Sequence, residues 1–137
     1  MVRFNVRVNE SAQMEWVQQH LVALLDQVNR RDGISVRLHG GFRSPPKPIE
    51  PVTQRLFEAV GECGRELGLS IQWTTSGGVS DGNRLAAAGL PNVDSLGVRG
   101  GAIHSPEEYV LLDSLPERAK LTALLLMKLA AGELVWK

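Results

Sequence analysis

The stretch Val2-Arg-Phe-Asn-Val-Arg-Val8 is apolar at every second residue, and from about Ser11 the period changes to a helical stripe of Met14, Val17, Leu21, Leu24 and Val28. Alternation at period two places Val2, Phe4, Val6 and Val8 on one face of a strand and Arg3, Asn5 and Arg7 on the other. Recurrence at three and four residues gives a helix with one apolar face, which Asp32 and Gly33 end. Ile34, Val36 and Leu38 then alternate with Ser35, Arg37 and His39, a second strand that stops at Gly40 and Gly41. The opening of the chain therefore reads β-α-β, and the fold class is α/β.

Outward from that unit, Arg43-Ser-Pro-Pro-Lys-Pro-Ile-Glu-Pro51 carries four prolines in nine residues. Proline fixes φ and removes a backbone donor, so this segment reads as an extended linker between two small lobes. Pro51 suits the first turn of a helix, whose stripe is Val52, Leu56, Val60, Cys63 and Leu67, with Gly68 as its end. A short strand over 70–74 follows, then the glycine-rich loop Ser76-Gly-Gly-Val-Ser-Asp-Gly-Asn83, a small helix around Arg84 to Ala88, and a strand over 92–96. Ser114-Leu-Pro-Glu117 has the spacing of a capping box and opens a leucine-rich helix that reads as buried on a wide face.

Composition narrows the function. The 137 residues are 43% hydrophobic and 22% charged, which supports a folded core and excludes disordered and collagen-like chains. Fifteen Lys and Arg balance fifteen Asp and Glu, so no net field favours nucleic acid or anionic lipid. One cysteine, Cys63, excludes an intrachain disulfide framework, and with three histidines it builds no CxxC-type zinc cage. The longest apolar run, Leu121 to Ala131, is interrupted by Thr122 and Lys128 and is shorter than the roughly 20 residues of a membrane span. The first residues alternate as a strand and lack the apolar region of an export signal.

Several residues carry possible chemistry. The loop from Ser76 to Asn83 lies between a strand and a helix, where free N–H groups can hold an anion such as a carboxylate, and it is equally readable as a plain connecting turn. It has neither the Gly-Lys-Ser/Thr of a Walker loop nor GxGxxG spacing. His104, in Gly100-Gly-Ala-Ile-His-Ser-Pro-Glu-Glu108, is either a surface histidine or a metal ligand on a flexible turn. Glu107 and Glu108 read as a solvated pair, His39 as a polar strand end and His20 as a surface residue of the first helix. Arg3 is an exposed strand arginine or a planar clamp for a carboxylate.

Four segments in order, Ser76 to Asn83, Gly89-Leu-Pro-Asn-Val-Asp-Ser-Leu-Gly97, Gly100 to Tyr109 and Ser114-Leu-Pro-Glu-Arg118, resemble the C-terminal end of a family of zinc-dependent peptidases. The family is the acetylornithine deacetylase, succinyl-diaminopimelate desuccinylase and glutamate carboxypeptidase superfamily, with the glutamate carboxypeptidase branch as the nearest likeness. Val2 to Arg7 and Leu38-His-Gly-Gly-Phe42 are similar to the second half of its lid, or dimerisation, domain. The resemblance implies a partial ferredoxin-like β-α-β lid over 1–42, a Pro-rich linker over 43–51, and over 52–137 the C-terminal part of an α/β zinc-peptidase catalytic domain.

By the same resemblance, the intact enzyme hydrolyses amide bonds of N-acyl amino acids or small peptides with two zinc ions that activate a bridging water. His104 matches a late zinc ligand, Arg3 the lid arginine that holds the substrate carboxylate, and Gly77, Gly78, Val79 and Ser80 the loop whose amides position that group. The family has a third glycine where this chain has Val79, so only the backbone role carries over there. An early His-x-Asp, a bridging aspartate and a Glu-Glu pair with the general base have no counterpart in this sequence. The expectation is an enzyme fragment, inactive alone and not stably binding zinc: a truncated reading frame or one piece of a split protein. The alternative is a non-catalytic module that dimerises and grips a small carboxylate. A homo-oligomer is expected in either case, with a cytoplasmic location and no nucleic-acid or membrane partner.

Overall fold

Between Ser11 and Asn29 the sequence contains neither glycine nor proline, and this segment forms the first helix, α1 (Ser11–Asn29). Its start is held by the Gln13 side chain, whose Oε1 accepts from the N–H of Asn9 at 2.9 Å and of Glu10 at 3.3 Å. The remaining elements in this computed structural model are α2 (Pro51–Glu66), α3 (Asp81–Ala87), β1 (Gly100–Gly101), β2 (Tyr109–Val110) and α4 (Ser114–Ala131). The structure describes residues 1–134, so the last three residues expected in the second lobe lie outside it. Helices and a paired sheet place the chain in the α/β class, as the alternating periods indicate.

The chain divides into two compact units, one of Met1–Pro48 with Ser76–Leu90, the other of Ile49–Thr75 with the chain from Pro91 onward. In the first unit, α1 buries no residue completely. Met14, Val17, Leu21, Leu25 and Val28 are half-buried, while Leu24, expected in the stripe, is 55% exposed. The reason lies one turn further on: Asn29, on the Leu25 side of the helix, binds the returning chain. Its Oδ1 accepts from Val36 N–H at 2.7 Å and its Nδ2 donates to Val36 C=O at 3.0 Å.

That amide pair occupies the place of a neighbouring strand at a single residue. It also marks the main departure from the sequence reading. The segments 2–8, 34–38, 70–74 and 92–96 carry strand patterns, yet among the described residues the only ladder joins β1 and β2, with Gly100 opposite Val110 and Gly101 opposite Tyr109. Alternation specifies which face a side chain takes, whereas a strand is completed by another segment's N–H and C=O groups.

The second unit is organised by α2 and α4. Pro51 stands in the first turn of α2, and at its end Leu69 N–H bonds Gly64 C=O at 2.8 Å while Gly68 turns left-handed at φ 72°. The core consists of Ala59, Val60 and Cys63 from α2 and Leu121 and Leu125 from α4, with Leu69, Ile71, Val93 and Leu96 packed against it. An ion pair between Glu66 and Lys128 ties the two helices beside this core.

Two expectations for α4 are corrected. Its buried face is narrow, because Leu115, Leu126 and Met127 are exposed. Ser114 does not cap the helix: Asp113 holds the N-cap position with helical φ and ψ, and Ser114, fully buried, accepts from Arg99 N–H at 2.9 Å. The hydroxyl is drawn to the segment before β1 instead of back along its own helix.

Candidate functional site

In the first unit the glycine-rich loop is fixed at both ends. Ser80 caps α3, its Oγ accepting from Gly82 N–H at 3.1 Å, and Asn83 Oδ1 accepts from Ser80 N–H at 3.1 Å. The other half of the Asn83 amide donates to Pro45 C=O at 3.0 Å, which joins the loop to the Pro-rich segment. Asn83 is buried, so each of these bonds prevents an unpaired polar group away from water. At the opposite end, Arg7 Nη1 donates to Gly77 C=O at 2.8 Å, and Gly78 N–H donates to Ser76 Oγ at 3.0 Å.

This bonding pattern decides which groups remain for a ligand. The N–H groups of Gly78 and Ser80 are used within the loop, and those of Gly77 and Val79 have no partner among the described residues. Gly77, Gly78, Val79 and Ser80 are all exposed. Arg3 is exposed and makes no hydrogen bond or ion pair among the described residues. Arg7, two pleats further along the same face, is the arginine that reaches the loop.

In the second unit His104 stands in the connection between β1 and β2, exposed, with a left-handed φ of 67°. Its N–H donates to Glu108 Oε2 at 3.4 Å, and Ser105 Oγ donates to Ala102 C=O at 2.8 Å. Gly100 below the turn is sterically required by the backbone opposite it, and Gly101 leaves room for the Tyr109 ring in its present rotamer. A Cβ on Gly100 would lie 2.1 Å from Tyr109 O, and one on Gly101 would lie 2.7 Å from the Tyr109 hydroxyl. Of the other histidines, His20 stacks on Trp16 with ring centroids 3.9 Å apart and its Nδ1 2.7 Å from Trp16 O, and His39 is exposed.

Zinc coordination needs at least three convergent donors from the protein. Among the described residues no group of three or more His, Cys, Asp or Glu side chains is placed to hold a metal ion. The Glu108 carboxylate meets the backbone of His104, and Cys63 is buried in the core. His104 thus supplies a single imidazole, a donor set that does not by itself fit a zinc site. No helix among the described residues is long and apolar enough to cross a membrane.

Residues 4–128 match Peptidase family M20/M25/M40. The chain belongs to this peptidase family. It is 34% identical over 113 residues to the succinyl-diaminopimelate desuccinylase of Verminephrobacter eiseniae, covering 82% of this chain and 26% of that protein. The enzymes of the same name from Thioalkalivibrio sulfidiphilus and Marinobacter nauticus are each 30% identical, over 93% and 96% of this chain and 32% and 33% of their own lengths. The chain therefore spans about a quarter to a third of these relatives and is a partial member of the M20 superfamily. No solved structure matches it.

Arg7, Asn83 and Ser114 acquire structural roles at the two candidate sites that the sequence reading did not assign. Two of the three carry a signal. Asn83 stands three residues after Ser80, the capping-box spacing with an amide in place of Glu or Gln, and Arg7 shares the polar face of Arg3. Ser114 carries a misleading one, since its spacing to Glu117 imitates a cap.

Proposed function

We propose that this chain is the carboxylate-holding and single-zinc-donor portion of an M20 amidohydrolase whose substrates are N-acyl amino acids or small peptides. In this reading 1–42 belongs to a lid and dimerisation domain, 43–51 is the linker, and 52–137 is the end of the catalytic domain. Arg3 and the Gly77–Ser80 backbone hold the substrate carboxylate, and His104 is one donor to a two-zinc centre in the complete cytoplasmic enzyme. The name of the desuccinylase relatives supports an N-acyl substrate with carboxylates on both sides of the amide.

The observation that carries the reading is the loop. Arg7 and the Ser80–Asn83 pair fix its backbone, while the N–H groups of Gly77 and Val79 are left without partners on its exposed side. A preorganised pair of backbone donors is suited to a carboxylate, and the unpaired Arg3 guanidinium is the charge this reading adds to it. The isolated chain does not hydrolyse amides, because nothing in it matches the general base or the bridging carboxylate. Exposed Val2, Phe4 and Val6, together with Ile34, Val36 and Leu38, favour a homo-oligomer, since unpaired apolar segments recruit another chain.

Titration with an N-succinyl amino acid, followed by amide chemical shifts, tests the site. The resonances of Gly77 and Val79 move with the free carboxylate and stay in place with the corresponding carboxamide, and Arg3→Ala weakens the response. Equal responses to acid and amide would remove carboxylate recognition from the loop. Tight zinc binding with turnover that His104→Ala abolishes would overturn the inactive-fragment reading.

A further inference from the structure

Arg99, the residue before β1, is held at three points. Its N–H donates to Ser114 Oγ at 2.9 Å, its carbonyl accepts from Leu111 N–H at 2.8 Å, and its guanidinium forks onto Glu117, Nε to Oε1 at 3.1 Å and Nη2 to Oε2 at 3.0 Å. Ser114 is fully buried and donates its own proton to Leu111 C=O. Arg118 Nε lies 3.3 Å from the same Glu117 carboxylate, which is thereby set between two guanidinium groups. The first turn of α4 thus grips both strands of the hairpin at their base, Arg99 ahead of β1 and Leu111 behind β2.

The hairpin depends on such a grip. It contains two residue pairs, and an isolated two-stranded ribbon is marginal in water even when longer. Its tip holds two non-glycine residues with left-handed backbone, Ala102 at φ 54° and His104 at φ 67°. Such conformations persist when the surrounding structure over-determines them. The bonds of Ser105 and Glu108 act within the tip, so the tip is related to the rest of its unit chiefly through the base.

We propose that Glu117 and Ser114 are positioning residues for His104, acting through Arg99 and the base of the β1–β2 hairpin. The importance of what is positioned rests on the reading of His104 given above, but the bonding is a property of this chain alone and is measured on it directly. A bidentate carboxylate–guanidinium pair fixes orientation as well as distance, which a single hydrogen bond does not. Glutamine at position 117 keeps the size of the side chain and loses both the charge and the second acceptor.

The test uses the isotope-labelled full chain, with hydrogen exchange and the His104 amide and imidazole Cε1–H resonances as readouts. In Glu117→Gln, protection at the Leu111 and Ser105 amides falls about five- to tenfold and the His104 resonances shift, while Val60 and Cys63 in α2 keep theirs within about twofold. The exchanged pair Arg99→Glu with Glu117→Arg restores protection and returns the resonances. Ser114→Ala lowers protection at the Arg99 amide and moves the same His104 resonances. Unchanged His104 resonances in Glu117→Gln, a loss that is equal in the hairpin and in α2, or an exchanged pair that restores nothing would each overturn the proposal. Turnover by the isolated chain would defeat the functional reading and leave these spectra unaffected, so the two failures are distinguishable.

Discussion

Replacing Leu121 with alanine tests where the stability of this chain resides. Leu121 is fully buried, and among the described residues only Ala59, Val60, Cys63 and Leu125 share that core as buried apolar residues. Three buried carbons are lost, worth roughly 2.4 kcal/mol at about 0.8 kcal/mol each. The half-buried Leu69, Ile71, Leu124 and Leu129 surround the gap and settle into it, which keeps the cavity contribution small and the total near 3 kcal/mol. Trp73, stacked on Phe57 with centroids 4.2 Å apart, reports on this unit by fluorescence once Trp16 and Trp136 are changed to phenylalanine. With a urea slope of roughly 1.5 kcal/mol per molar, the midpoint falls by about 2 M. Leu24→Ala, at a position 55% exposed on α1, changes stability by less than about 0.5 kcal/mol. A shift below 0.5 M for Leu121→Ala, or equal losses for the two variants, would refute the assignment of the core to the α2–α4 contact.

Asn83→Ala leaves the Ser80 N–H and the Pro45 C=O without partners, and urea denaturation is expected to show a loss of about 1–3 kcal/mol with faster exchange at Gly78 and Ser80. Gly100→Ala forces a Cβ to 2.1 Å from Tyr109 O, a backbone atom that cannot swing aside, so cross-strand nuclear Overhauser contacts between Gly101 and Tyr109 are expected to vanish. Burial pushes the Cys63 thiol up, and the hydrogen bond that the Lys128 ammonium donates to the Glu66 carboxylate raises the ammonium, so the folded state holds both protons more tightly than the unfolded one. Their stabilising effect is complete below the unfolded values and declines with rising pH, the thiol first from about its ordinary 9.0. Urea midpoints are therefore expected to be lower at pH 10 than at pH 8, and a rise over that interval would contradict the assignment.

The helices were legible because their signals are local. Pro51 at a first turn, Gly68 at an end and the spacing that puts Val60 and Cys63 in the core act within one segment and appear where the sequence placed them, while Leu24 and Leu67 of the expected stripes are exposed. Strand patterns at 2–8 and 34–38 are just as regular, but pairing requires a second segment in register. Here Val36 receives an Asn29 side chain and its neighbours receive no ladder. Ser114 failed for a related reason: a hydroxyl at a helix start has two possible destinations, and the spacing to Glu117 does not say that Arg99 will arrive there first.

The same distinction separates the two candidate sites. Within loop 76–80 the bonds of Ser76 to Gly78 and of Ser80 to Gly82 and Asn83 join near neighbours that can be read in order, while the Arg7–Gly77 and Asn83–Pro45 bonds that anchor it come from remote residues. His104 is different, because an imidazole becomes a metal centre only through donors remote in sequence, and the chain spans about a quarter to a third of its curated relatives. What the sequence around His104 does encode is geometry. Gly100 and Gly101 let Tyr109 close over the hairpin, Ser105 and Glu108 shape the tip, and Arg99 joins the base to Glu117. A position prepared this thoroughly for one exposed histidine supports the reading of His104 as a donor more directly than the histidine itself does.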